Sequence, residues 1–288
     1  MRSSRVLGLA AFAAIAAAGV TAAAAVRTYR GVQAPAVGDL ASFLALPADE
    51  RERRPVVACT GDSIVRGRAG VDWVRMLRER FPDLAFVNDG VNSCLAWEVL
   101  QRVEHLLACN PSHVVVMTGT NDVEATLQPD GGAGVMRARK APQVPSLDFL
   151  GQCITGIIER LHHAGADVAV CSLPPLGQDL GDRFNQRVRQ ANAVIATVCE
   201  AGGATYLPVG EEYERALRAA SADHGPGFSW SWRPGLQSLA WHFLRGWSYD
   251  TVAARHGLLL SADGVHPSTS GARMIADAAG EWIEAVAA

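Results

Sequence analysis

"VVACTGDSIVRG" (residues 56–67) joins a short apolar run to a turn carrying Gly61, Asp62 and Ser63. The run "VVACT" (56–60) holds no charge and has the composition of a strand buried on both faces of a parallel sheet. Gly-Asp-Ser is ordinary turn chemistry, so the stretch can be no more than a bend. Alternatively Ser63 is a nucleophile presented where a buried strand ends. The remaining chain must then supply a base, an acid that orients it, and donors for a developing oxyanion.

Outward from this stretch the pattern repeats. Apolar runs "LAFVN" (84–88), "HVVVMTG" (113–119), "DVAVCSL" (167–173) and "ATYLPV" (204–209) read as further strands. Helix-like stretches separate them near 71–81, 95–108, 147–164 and 183–201, with a last one from about 268 to 286. Short apolar strands alternating with amphipathic helices predict an α/β domain, an open three-layer α/β/α sandwich. In such sheets ligands bind beyond the carboxyl ends of the strands.

Totals narrow the function classes. The 288 residues are 49% hydrophobic and 19% charged, enough for one or two domains with a full core. A net charge of −3 gives no basic field, which argues against nucleic acid as a partner. The six cysteines (59, 94, 109, 153, 171, 199) form no CxxC pair and lie near no clustered histidines, so no metal site is expected. Cys59 and Cys171 end apolar runs and read as buried free thiols.

The N-terminus has its own character. "MRSSR" precedes "VLGLAAFAAIAAAGVTAAAAV" (6–26), 21 residues without a charge. This is a signal peptide with small-residue cleavage sites at Ala22 to Ala25, or a transmembrane anchor, since the run is long enough to span a bilayer. Residues 27–54 read as a linker and 55–288 as the folded domain. The expectation is an exported protein, membrane-anchored through this segment or secreted after cleavage.

Chemistry-bearing residues collect just past the strands: Gly61-Asp62-Ser63, then Asn88-Asp89-Gly90, then "GTND" (119–122). "LPPLG" (173–177) follows the fourth strand, and "DGVHPSTSG", with Asp263 and His266, precedes the last helix. His266 is the candidate base for Ser63, and Asp263, three residues earlier, can hold the same imidazole in one tautomer. The N–H groups of Ser63 and Gly90 and the Asn121 amide are candidate oxyanion donors.

"GDSI", the Gly90 loop, "GTND" and "DGVH" together resemble, in order and spacing, the SGNH (GDSL-type) serine hydrolase/esterase family, over about residues 55–288. The resemblance implies a flavodoxin-like five-stranded parallel sheet. It implies Ser63 as nucleophile with His266 and Asp263, and an oxyanion hole from Ser63, Gly90 and Asn121. Such enzymes cleave esters, thioesters and carbohydrate O-acyl groups, generally without a cofactor, so the partner is a small-molecule, lipid or carbohydrate ester. Rival readings are an O-acyltransferase or carbohydrate deacetylase on the same scaffold, and a non-catalytic membrane-tethered binding module. A nucleotide-binding protein would need a GxGxxG or Walker loop after the first strand, which is missing.

One departure stands out: Ser93 and Cys94 occupy places where many relatives carry a further glycine. Among neighbouring residues, Asp62 reads as an acceptor for loop N–H groups, Asp122 as a brace, Asn88 as a turn residue, and Arg66 and Arg68 as solvated charge. Cys94 lies near the site in sequence without a partner that would activate it. The remaining histidines carry no companion motif. The aromatic-rich insertion (221–256) holds Trp230, Trp232, Trp241 and Trp247. It reads as a satellite core ahead of the alternatives, a lid over an acyl group or a membrane-facing surface. A second loop, 127–146, is a candidate for the opposite wall.

Overall fold

In the computed structural model the described residues are 22–228 and 233–287. Most of the apolar stretch 6–26, together with Trp230 and Trp232, lies outside them. Among the described residues no helix is long and apolar enough to cross a membrane.

Residues 22–33 are helical (α1), followed by α2 (Leu40–Leu44) and α3 (Ala48–Arg51). The segment 27–54, expected as a linker, therefore packs on the domain. Leu40 and Phe43 join its core, and Asp39 bridges to Asn88 beside the sheet.

Then the alternation begins: β1 (Val56–Gly61), the single turn α4 (Ser63–Arg66), α5 (Trp73–Arg80), β2 (Ala85–Gly90) and α6 (Ala96–Leu106). β3 (His113–Met117), α7 (Thr120–Thr126), α8 (Ala133–Arg139), α9 (Leu147–His163) and β4 (Asp167–Cys171) follow. Next come β5 (Gly177–Asp179), α10 (Arg183–Gly202), β6 (Thr205–Leu207), α11 (Val209–Ala219) and β7 (His224–Gly227). The chain ends with α12 (Arg233–Arg245), α13 (Tyr249–His256) and α14 (Thr269–Ala287).

Five strands pair in parallel in the order β2-β1-β3-β4-β6. Counting only these strands, this is the 2-1-3-4-5 order of a flavodoxin-like sheet. The sheet reverses direction of growth between β1 and β3, and the crevice of such folds opens there.

Strand pleating sends alternate residues to opposite faces. Val56 and Ala58 join the core under α6, α9 and α10, whereas Val57 and Cys59 join the core under α5 and α14. α9 contributes Leu150, Cys153, Ile154, Ile157, Ile158 and Leu161 to the first, at helical spacing. α5 contributes Trp73, Val74 and Leu77 to the second, and its start is capped by Asp72, which accepts from the Arg75 N–H. Each fully buried aliphatic side chain of this kind contributes about 1.5–3 kcal/mol. All six cysteines are buried and free.

The sequence pattern missed the small elements. β5 and β7 form a separate antiparallel ribbon, too short and glycine-rich to show an alternation. α11 begins at Val209, inside the run 204–209 that reads as a strand, and α7 begins at Thr120, within a polar motif too short to show a helical period.

Candidate active site

Ser63 opens α4 directly beyond β1, at the reversal point of the sheet. Asp62 caps this turn, accepting the Ile64 N–H at 2.9 Å. Two further bonds hold α4 from outside: Trp73 Nε1 donates to Ile64 O at 3.1 Å, and Asn88 Nδ2 donates to Val65 O at 2.8 Å. Asn88 is thus no turn residue. It is buried at the end of β2 and ties that strand to the serine's helix.

The "DGVH" turn sits against this serine. Asp263 Oδ1 accepts the N–H groups of Val265 at 3.0 Å and His266 at 2.9 Å, which folds four residues so that the aspartate faces its own histidine. Asp263 Oδ2 lies 2.8 Å from His266 Nδ1, and His266 Nε2 lies 2.9 Å from Ser63 Oγ. The carboxylate is 4% exposed and the imidazole 18%. Burial alone would raise the Asp263 carboxyl, but the His266 ring and the two N–H donors outweigh it and hold it below the ordinary carboxylate range. Burial alone would lower His266; the Asp263 charge and hydrogen bond, with Asp62 and Glu124 nearby, hold it above the ordinary imidazole value.

The expected oxyanion donors fare differently. Asn121 lines the cleft, its amide donating to Cys94 O at 3.1 Å and to Asp62 at 3.3 Å. Gly90 is not brought there. Its N–H donates to Asn88 Oδ1 at 3.0 Å, and a Cβ at this position would collide with the Arg66 backbone. Glycine is required here for the close passage of α4 over β2, not for approach to a substrate. Ser93, three residues on, lines the cleft beside Asn92, and it adopts φ +56°. Neither Ser63 N–H nor Ser93 N–H has a partner among the described residues. The sequence signal was the missing second glycine: the backbone still takes the left-handed form that a glycine would favour.

These groups line a cleft of about 490 Å³. Its polar lining includes Gln33, Asn92, Gln128 and Glu124, and Phe228, Pro234 and Leu239 give it an apolar side. The Glu124 carboxyl has no hydrogen-bond partner among the described residues, and burial raises it to about 7. Arg66 and Arg68, expected as solvated charge, instead donate to main-chain carbonyls of residues 31–34. Asp122 accepts the Ala96 N–H at 3.0 Å and so joins α7 to α6.

Burial raises the Cys94 thiol to about 12, so it stays a thiol at neutral pH. It contacts Arg102, a residue the sequence did not single out. Arg102 donates to Asp89 Oδ2 at 2.8 Å, Gly61 O at 2.6 Å and Asp89 O at 3.0 Å, tying the ends of β1 and β2 together below the serine. Among the described residues no group of three or more His, Cys, Asp or Glu side chains is placed to hold a metal ion.

The aromatic insertion divides by position. Trp241 packs on Trp247 at 5.4 Å and on His256 at 5.1 Å between ring centroids. With Tyr249, Val252 and Ala262 these tryptophans form a small separate core. Among the described residues of the insertion, Phe228 and the first half of α12 (Pro234, Gly235, Leu239) reach the cleft. In the other loop, Gln128 lines the cleft, and α8 lies beyond it.

Comparison with known proteins bears on this arrangement. A search of curated proteins finds no match. Among solved structures, the acetyl xylan esterase AlAXEase is similar with TM-score 0.58 and 15% identity, covering 79% of this chain and 99% of that one. An acetylxylan esterase from Geobacillus stearothermophilus gives TM-score 0.55 and 16% identity over 80% of this chain and 93% of its own. A lipase/acylhydrolase from Enterococcus faecalis gives 0.53 and 16% over 80% and 96%. At such identities the likeness speaks for the fold. The profile of the GDSL-like lipase/acylhydrolase family matches residues 59–274, from the second half of β1 into α14. With three quarters of its length matched and the fold shared, the chain belongs to the GDSL-like lipase/acylhydrolase family.

Proposed function

We propose that this esterase acts through an acyl-enzyme on Ser63, and that its substrates are short-acyl esters of carbohydrates. The observation that carries the first part is the row of contacts from Asp263 through His266 to Ser63 Oγ, 2.8 and 2.9 Å long, on the wall of the cleft. His266 Nε2 takes the hydroxyl proton as Oγ bonds to the ester carbonyl carbon. The carbonyl π pair moves to oxygen, which is held by the N–H groups of Ser63 and Ser93. Asn121 adds a third donor by giving up its long bond to Asp62. Collapse breaks the bond to the alcohol, which leaves with the proton from His266. Water, deprotonated by the same imidazole, then attacks the acyl-enzyme, and Ser63 Oγ departs reprotonated.

The substrate class rests on the cleft's lining. Amides from Gln33, Asn92 and Gln128 and the Glu124 carboxylate suit hydroxyl groups, and among the described residues no lysine or arginine lines it to receive a phosphate or carboxylate. The acetyl xylan esterases among the similar structures favour the same class. The test is a panel of p-nitrophenyl acetate, butyrate and dodecanoate with acetylated xylo-oligosaccharides. Wild type is expected to favour acetyl esters and to release acetate from the oligosaccharides, while Ser63→Ala is inactive on all. Undiminished hydrolysis by Ser63→Ala would refute the nucleophile.

We further propose that the protein is exported, retained through residues 6–26 or released by cleavage near Ala22 to Ala25. The basic start and uncharged run support this. Sizing the mature chain from membrane and medium fractions separates the two, and a full-length chain in the cytosol would contradict both.

A further inference from the structure

The end of α1 meets the cleft. Terminal helix carbonyls lack intrahelical partners and carry the negative end of the helix dipole. Here four in succession are taken by side chains. Gly31 O receives Arg68 Nε at 3.3 Å, and Val32 O receives Asn92 Nδ2 at 3.0 Å. Gln33 O and Ala34 O both receive Arg66 Nη2, at 2.7 and 2.8 Å. The donors come from the two segments that build the site. Arg66 ends the helix that Ser63 begins, and Asn92 adjoins Ser93. On its other side Gly31 lies against the Phe243 ring of α12, too close for any side chain. Val32 and Gln33 line the cleft, and the Gln33 amide has no hydrogen-bond partner among the described residues.

We propose that residues 31–34 form a specificity-determining strap. They wall the cleft where the alcohol portion of the substrate sits, and the Gln33 amide binds hydroxyl groups of a carbohydrate there. The strap rests on the esterase reading above but adds to it a segment upstream of the family match, clamped by Arg66, Arg68 and Asn92. A substrate with a small flat leaving group, such as p-nitrophenyl acetate, does not need the strap. An acetylated oligosaccharide does.

The test uses the full chain with two substitutions outside the catalytic groups. Gln33→Ala removes the amide, and Gly31→Val drives the strap away from Phe243. Both are expected to raise KM for acetylated xylotetraose about tenfold, the equivalent of one good interaction. In each variant the loss on the oligosaccharide should be several-fold larger than any loss of kcat/KM for p-nitrophenyl acetate or of the rate of labelling by a fluorophosphonate. Unchanged KM for the oligosaccharide in both variants would overturn the strap. So would equal losses on both substrates with slowed labelling, which would show a merely supporting role. Wild type that hydrolyses p-nitrophenyl acetate but no acetylated oligosaccharide would overturn the carbohydrate assignment. Wild type that resists the fluorophosphonate would instead remove the esterase reading, and the strap with it.

Discussion

Ser93 holds φ +56°, a conformation that costs a side-chain-bearing residue about 1–2 kcal/mol relative to the right-handed form. Replacing it with glycine keeps the N–H in the cleft while removing that cost. Ser93→Gly is therefore expected to retain kcat/KM and to gain up to about 1 kcal/mol in urea unfolding, once glycine's greater unfolded-state freedom is subtracted. Loss of activity on this change would show that the hydroxyl, and not the N–H, matters. Protonation gives a second residue-level expectation. His266 must be neutral to accept the proton, so activity appears as pH rises through its pKa. Asp263, Asp62 and Glu124 hold that value above the ordinary one of about 6.5, which places the acid limb of kcat/KM above it. Glu124→Gln removes one of these charges and should move the limb to lower pH; a limb that stays or moves upward would contradict the arrangement. Ser63, Asn121, Asp263 and His266 were legible in the sequence because each lies in a short polar motif at a strand or turn boundary. The place of Ser93 in the cleft was not, because glycine marks two different needs. At Gly90 it permits backbone contact with α4, whereas the left-handed turn fell on a serine.

Among the elements, the junction of β1, β2 and α6 depends on Arg102. Its guanidinium and the Asp89 carboxylate are 17% and 9% exposed, so removing one leaves the other buried without its counter-charge. Arg102→Met is expected to cost about 3–5 kcal/mol of stability in urea unfolding. Activity should fall as well, since Gly61 O next to the serine turn loses a donor. A loss under about 1 kcal/mol, the worth of a surface pair, would contradict this role. The five strands and their long helices were readable because each is long enough to show a period. Arg102 was not, because a charged residue in the middle of an amphipathic helix looks solvated until the neighbouring strand ends are placed. The same holds for Arg66 and Arg68, whose partners are main-chain carbonyls that no sequence pattern marks.

At the scale of the whole molecule, the sheet reversal between β1 and β3 gathers segments more than 200 residues apart, and two peripheral segments complete the cleft. The aromatic insertion contributes through Phe228 and the first half of α12, while Trp241 and Trp247 lie in the satellite core. Trp241→Ala should lower stability and reduce hydrolysis of acetyl and dodecanoyl esters in equal proportion. Leu239→Ala, which enlarges the cleft, should change the ratio between them. A selective loss of long-chain activity in Trp241→Ala would give that tryptophan the lid role instead. The N-terminal segment looked like a linker because its apolar contacts are few and spaced by prolines and glycines. The most direct test of the account as a whole is peptide mapping after reaction with diisopropyl fluorophosphonate. The adduct is expected on Ser63 alone, forming orders of magnitude more slowly in His266→Ala; an adduct on another residue, or none while ester hydrolysis persists, would contradict it.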